Sequence, residues 1–316
     1  MRIFLLLIAA LVLHAATLQP VQSKRLKGAV LDMVIDGGKI YIATDNGKVV
    51  VLDEKNLSLI QEIKVRKVKD FMGDLHPADI YSVDVMDGKI LYLAQAEDGY
   101  AELYLNEKGK ATKVLDKSAM LYAKAAKFVE EKTAILALMS DEVLLYDLAQ
   151  QKILKRAKVG EYFYSTSAMD KSRKAFVVGD EGGEVIVVDP TSLKVKKLFK
   201  DVNKDKILSI FINGNLIAAG SRADKAFAIY DLKSGGHKIR KNPSFFIYVV
   251  GLSPDNKLAV YGDNEKYILK VVDTATLDVK HQLVGHKGIV NVVRFSSPKV
   301  IVTGSELGEI IKWRLP

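Results

Sequence analysis

A short apolar run that closes on aspartate recurs along this chain at a fixed interval. EVLLYD ends at Asp147, EVIVVD at Asp189, AFAIYD at Asp231 and LKVVD at Asp273, each 42 residues after the one before. KVVVLD ends the same way at Asp53. Two further runs have lost the acid: AELYLN ends at Asn106, 41 residues before Asp147, and EIIKWR ends at Arg314, 41 after Asp273. A constant interval of this kind means that one supersecondary unit is stacked many times, each copy burying its apolar face on its neighbours.

Every unit has the same internal order. A first strand-like run (AVLDMVID, IYSVDVMD, ILSIFING, IYVVGLSP, VNVVRFSS) leads through a turn such as Asp36-Gly37-Gly38, Asp87-Gly88 or Asn213-Gly214-Asn215. A compact apolar run follows (KIYIAT, KILYLA, KAFVVG, NLIAAG, KLAVYG, KVIVTG), as suits a strand covered on both faces. A hairpin turn carrying Asn46-Gly47, Asp98-Gly99 or Gly182-Gly183 then leads into the run that closes on aspartate. The fourth run is polar and lysine-rich (SLIQEIKV, KILKRAKV, LKVKKLFK, LDVKHQLV), and charge of this kind protects an exposed sheet edge from pairing with other chains. Four strands in about 43 residues is the size of one propeller blade. The expected fold is therefore all-β: a seven-bladed β-propeller of four-stranded antiparallel blades spanning residues 17–316 as a single domain. Ser118–Lys132 has the composition of a helix, but the repeat places the first strand of the third blade there, and the repeat is given precedence.

The two ends of the chain complement each other. The last unit stops at Trp313-Arg314-Leu315-Pro316 after three strands, while Thr17–Lys27 stands spare before the first blade. Pairing the spare segment with Glu309–Leu315 supplies the missing strand and closes the ring. Residues 1–16 read as a secretory signal peptide, with Arg2, an eleven-residue apolar run from Ile3 to Leu13, and Ala15-Ala16 for cleavage. Cutting after Ala16 leaves His14 at the −3 position, so an uncleaved N-terminal anchor is the alternative. The expected location is periplasmic.

The last unit, GHKGIVNVVRFSSPKVIVTGSELGEIIKWRL, resembles a WD repeat, with Gly285-His286 as its GH pair and Trp313 as its strand-end tryptophan. The resemblance implies a buried structural tetrad in which His286, Thr303 and Trp313 fill three places; Leu307 stands where the family has an aspartate. The other six units lack both GH and Trp. The size, leader, blade count and lysine-rich style of the whole chain are similar to the exported WD-repeat-like accessory proteins of periplasmic nitrate reductase systems, the NapL family. That likeness implies a role in assembling or maturing such a system.

No catalytic signature emerges. Cysteine is absent, which excludes disulfides, thiolate metal sites and a cysteine nucleophile. His14, His76, His237, His281 and His286 have no metal-ligand spacing, and no nucleophile elbow or phosphate-cradling glycine loop is present. Asp201-Val202-Asn203-Lys204-Asp205 starts like a calcium loop but has Lys206 where glycine is required and Ile212 where a carboxylate is required. The strand-end acids Asp53, Asp147, Asp189, Asp231 and Asp273 read as turn residues, since a feature repeated once per blade does not make a unique site. No metal and no cofactor are expected.

The net charge is +9, with basic clusters at Lys64, Arg66, Lys67 and Lys69, at Lys194, Lys196, Lys197 and Lys200, and at Lys238, Arg240 and Lys241. They read as a solvated rim, or as a surface for an acidic protein partner or an anionic membrane. Nucleic acid is not expected, because no aromatic platforms interleave with the basic runs. The expected protein is a non-catalytic, monomeric protein–protein interaction scaffold. The alternative is a propeller enzyme or small-molecule binder of lactonase or quinoprotein type, which requires polar groups converging on the central channel.

Overall fold

The computed structural model describes residues 15–70, 72–241, 244–263 and 265–316. Most of the expected export signal, residues 1–14, lies outside the described residues. Seven antiparallel blades follow in chain order, and each begins with an inner strand: Val30–Asp36, Ile80–Met86, Ala123–Glu130, Tyr164–Met169, Ile207–Asn213, Val250–Leu252 and Val290–Ser297. The segment with helical composition is strand Ala123–Glu130, preceded by one 3-10 turn at Lys117–Ala119. Its alanines and Phe128 are buried against two blades, and that burial outweighs local propensity. Between blades 1 and 2 a small hairpin pairs Val68–Lys69 with Leu75–His76. Among the described residues no helix is long and apolar enough to cross a membrane.

The core is divided rather than continuous. Seven apolar clusters occupy the seven blade-to-blade interfaces. Tyr41 and Val51 meet Ile80 and Tyr92 between blades 1 and 2, and so on round to Val302 and Ile310, which meet Val30 and Ile40 between blades 7 and 1. The second and third strands are buried on both faces, which is why their sequences are continuous apolar runs; Phe176–Asp180 and Val185–Val188 have no exposed residue. Adjacent blades approach so closely that a recurrent glycine is needed on the second strand. A Cβ at Gly179, Gly220 or Gly304 would stand 2.7, 2.3 or 2.6 Å from Ile207, Ile247 or Val30 of the next blade.

The N-terminal segment closes the ring. Gln22–Arg25 pairs antiparallel with the last strand, Gln22 opposite Lys312 and Arg25 opposite Glu309. The segment also does something the sequence did not announce. Ala16–Leu18 pairs in parallel with Val279–Leu283, adding a fifth strand to blade 6, with Ala16 opposite His281 and Leu18 opposite Leu283. The chain therefore straddles two blades before entering the first. Pro20, at the crossing, packs on Gly285 and leaves no room there for a Cβ, which would meet Pro20 Cγ at 2.7 Å.

Candidate functional site

The inner strands frame a central channel that is divided by an ion cluster at its waist. Asp32 of blade 1 accepts hydrogen bonds from Lys127 Nζ of blade 3 at 2.6 Å and from Arg294 Nη2 of blade 7 at 3.1 Å. Its carboxylate also accepts from the Met33 and Val83 amides, while Lys127 donates to the Val83 carbonyl and Arg294 to those of Met33 and Val293. Burial alone would raise the Asp32 pKa; Lys127 and Arg294 outweigh it and hold the carboxyl below its ordinary value. Arg294 is lowered by burial, with Asp32 opposing, and its guanidinium lies over the Phe211 ring. Asp32, Lys127, Ser167 and Arg294 line cavities on both sides of this waist.

The smaller cavity, about 270 Å³, opens where the inner strands end. There Arg173 reaches from a blade-4 turn to make a two-pronged ion pair with Asp84 of blade 2 and to donate to the Val85 carbonyl at 3.0 Å. The larger cavity, about 520 Å³, opens where the inner strands begin. Asp79, Tyr81, Lys124, Tyr164 and Met139 line it, as does the ion pair of Glu181 and Lys206 at 2.7 Å. Lys124 Nζ lies 4.1 Å from the centre of the Tyr81 ring. Burial lowers the Lys124 pKa, and burial followed by the Asp45 charge raises that of Asp79. Burial, with Asp79 adding to it, pushes the Tyr81 phenol up to about 12.

Around this larger mouth, large apolar side chains stand in solvent. Met120, Tyr122, Met139, Tyr162 and Phe163 are all exposed, Phe163 by 64%. Backbone bonds set their loops side by side as a crescent: the Met139 amide donates to the Tyr122 carbonyl, the Tyr164 amide to the Met139 carbonyl, and the Glu181 amide to the Phe163 carbonyl. The Tyr122 ring packs on Tyr100, and the Tyr162 ring covers Gly182.

The residues singled out from sequence lie elsewhere. His286 Nε2 and Thr303 Oγ1 are 2.6 Å apart, and Trp313 Nε1 donates to the same hydroxyl at 3.0 Å. The fourth place of the tetrad, vacant at Leu307, is taken by Glu309. Its carboxylate lies 3.3 Å from His286 Nδ1 and accepts from the Lys287 amide at 3.0 Å. His286, Thr303 and Trp313 are buried inside blade 7, and the cluster lines neither of the two channel cavities. Asp53, Asp147, Asp189, Asp231 and Asp273 each accept, through Oδ1, the amides two and three residues on, and so shape the turn to the fourth strand. These five stand one per blade and do not converge.

The calcium-like stretch is tied into the blade. Asn203 is buried, donates to Ser221 and the Ala226 carbonyl, and accepts from Tyr230 OH. Asp205 is held by Arg222, so the calcium-like spacing closes on protein groups. His281 lies on an outer strand that Ala16–Leu18 covers, and burial lowers its pKa. His76, in the hairpin between blades 1 and 2, bonds through Nδ1 to the Pro77 carbonyl at 2.8 Å and is not among the residues lining the larger cavity. The basic clusters are only partly free: Arg66 pairs with Glu102, Lys196 with Asp189 and Lys200 with Glu184.

Asp79 and Lys124 were missed. Each is a single polar residue at the start of an inner strand, with no counterpart in the repeat to draw the eye. The useful signal was the failure of symmetry at those positions. Among the described residues no group of three His, Asp or Glu is placed to hold a metal. No protein-family model matches this chain, and no curated protein matches it.

Proposed function

We propose that this propeller is a non-catalytic interaction scaffold that docks a partner protein on the face around its larger channel mouth. The observation that carries the reading is the crescent of Met120, Tyr122, Met139, Tyr162 and Phe163, held in solvent by short loops on a rigid ring. Aromatic and methionine side chains are enriched at interface centres, and a contiguous exposed apolar group rimmed by charge is the usual mark of one. The neighbouring Lys117, Lys158 and Lys206 are each paired with a glutamate, Glu97, Glu161 and Glu181, so the apolar crescent rather than a net charge sets what this face accepts.

The resemblance to exported accessory proteins gives the narrower form. The chain acts in the periplasm, and the partner is a component of a periplasmic nitrate reductase system during its assembly or maturation. The test mixes purified protein with the purified components of such a system and follows complex formation by size exclusion and calorimetry. Binding that is lost in Phe163→Asp and in Met139→Asp, with melting temperatures unchanged, supports the reading. Binding indifferent to both substitutions removes the crescent from it, and absence of binding to every component removes the narrower form.

A further inference from the structure

Seven charged groups line the 520 Å³ cavity: Asp32, Asp79, Lys124, Lys127, Glu181, Lys206 and Arg294. Five are held in ion pairs inside the protein, Asp32 shared by Lys127 and Arg294, and Glu181 with Lys206. Asp79 and Lys124 are left. They are opposite in sign and both half-buried. Among the described residues neither charged group makes a hydrogen bond or an ion pair within 4 Å; Lys124 Nζ has only the Tyr81 ring face. Two opposite charges in direct contact hold each other ionised, so the acid falls and the amine rises. Here both shifts run the other way. Burial raises Asp79 and lowers Lys124, and their mutual attraction is the lesser effect on each.

A carboxylate and an ammonium in one recess, each partly desolvated and too far apart to satisfy the other, leave a gap with a charge at either end. We propose that this cavity binds a small zwitterion, an α-amino acid or short peptide, whose carboxylate meets Lys124 and whose ammonium meets Asp79. The Tyr81 face is taken by Lys124 itself and steadies that ammonium, and Tyr164 and Met139 offer wall for a ligand side chain. The floor is the Asp32 cluster, in which one carboxylate is shared by two cations already fixed by backbone carbonyls, so it carries one net positive charge. A ligand with one charge satisfies one partner and leaves the other buried and unmatched, so both charges are required for tight binding. The volume suits a small molecule rather than a long chain, since pockets for such ligands run from about 300 to 1,000 Å³. Met139 belongs both to this cavity's wall and to the crescent, so the site opens on the face proposed for partner docking, but binding of the zwitterion does not rest on that docking.

The test is calorimetry and thermal-shift measurement on the purified protein. The probes are the common α-amino acids and dialanine, with propionate and ethylamine as single-charge analogues. At least one zwitterion should bind at millimolar concentration or tighter, and about tenfold or more tighter than either analogue, a factor worth about 1.4 kcal/mol. Lys124→Met and Asp79→Asn should each weaken that binding by about tenfold or more, with circular dichroism reporting an intact fold. A measurement needing no variant accompanies this: in protein whose lysines carry 13C-methyl labels, the Lys124 resonance should move on addition of the zwitterion and stay in place with ethylamine. Failure of every zwitterion to bind, equal binding by a single-charge analogue, or an unmoved Lys124 resonance overturns the proposal.

Discussion

Asp141 is the residue whose burial is least compensated. It sits at a positive φ of 61° in the turn between the second and third strands of blade 3, is 1% exposed, and has no hydrogen-bond partner for either carboxylate oxygen. Gly160 lies against it so closely that a Cβ there would stand 1.8 Å from Oδ2. Burial, then the charges of Asp180, Glu184 and Glu161, with Lys158 opposing, push its pKa to about 7. Asp180 is also buried and is raised to about 6. A raised acid binds its proton more tightly folded than unfolded, so folding stability falls as pH rises from about 4 to about 7 and is level above that. Asp141→Asn should flatten this fall. Near pH 4 it should match the parent, and at pH 8 it should be more stable by about 2–4 kcal/mol, read from urea unfolding across pH. A parent whose stability is level from pH 4 to 8 would remove the argument. Tetrad residues His286, Thr303 and Trp313 were legible because a family motif marks them. Glu309 was not, because a motif is read by position, whereas a carboxylate on a longer side chain reaches the same imidazole from two residues further on.

Basic side chains on the outer strands, and Lys312 on the third strand of blade 7, act as clasps between blades. Lys155 of blade 3 donates to the Thr191 carbonyl in the aspartate turn of blade 4, and Lys197 of blade 4 lies beside Gly235 in the turn of blade 5. Lys238 and Arg240 of blade 5 donate to Ala275 and Leu277 in the turn of blade 6, and Lys312 of blade 7 donates to Glu54 in the turn of blade 1. The lysine-rich rim is thus part edge protection and part stitching. The aspartate that bends each turn presents the carbonyls that the neighbouring blade grips. Arg240→Ala should cost about 1 kcal/mol, the scale of one charge-assisted bond partly open to solvent. Hydrogen exchange should quicken in the Asp273–Leu277 turn and stay unchanged in blade 2; unchanged exchange in that turn would show that the bond holds nothing. The strands themselves were legible wherever apolar runs and turn residues repeat. The Ala16–Leu18 strand was not, since three residues carry no period and its partner is chosen by the geometry of the crossing at Pro20.

Ring architecture and closure were written in the spacing of the aspartates and in the missing strand at the C-terminus. The channel site was not, because symmetry conceals whatever breaks it. Deleting residues 17–27 should uncover backbone on both blades 6 and 7 and remove Leu18 and Pro20 from beside Trp313. The loss should be several kcal/mol out of a total of about 5–15 typical of folded domains, with association of the exposed edges. A thermal melt and a size-exclusion profile read both effects. A truncated protein that melts with the parent and stays monomeric would show the segment to be an idle tail. The straddling segment also sets an order of events. Among the described residues, 16–18 and 22–25 pair with 281–283 and 309–312, so strands made early wait for strands made late. Until that moment six blades stand as an open arc whose two raw edges match each other, and a neighbouring unfinished copy offers the same edges. Dilution of the nascent chain, or a chaperone that shields its leading residues, should therefore govern yield more than the stability of the finished ring does.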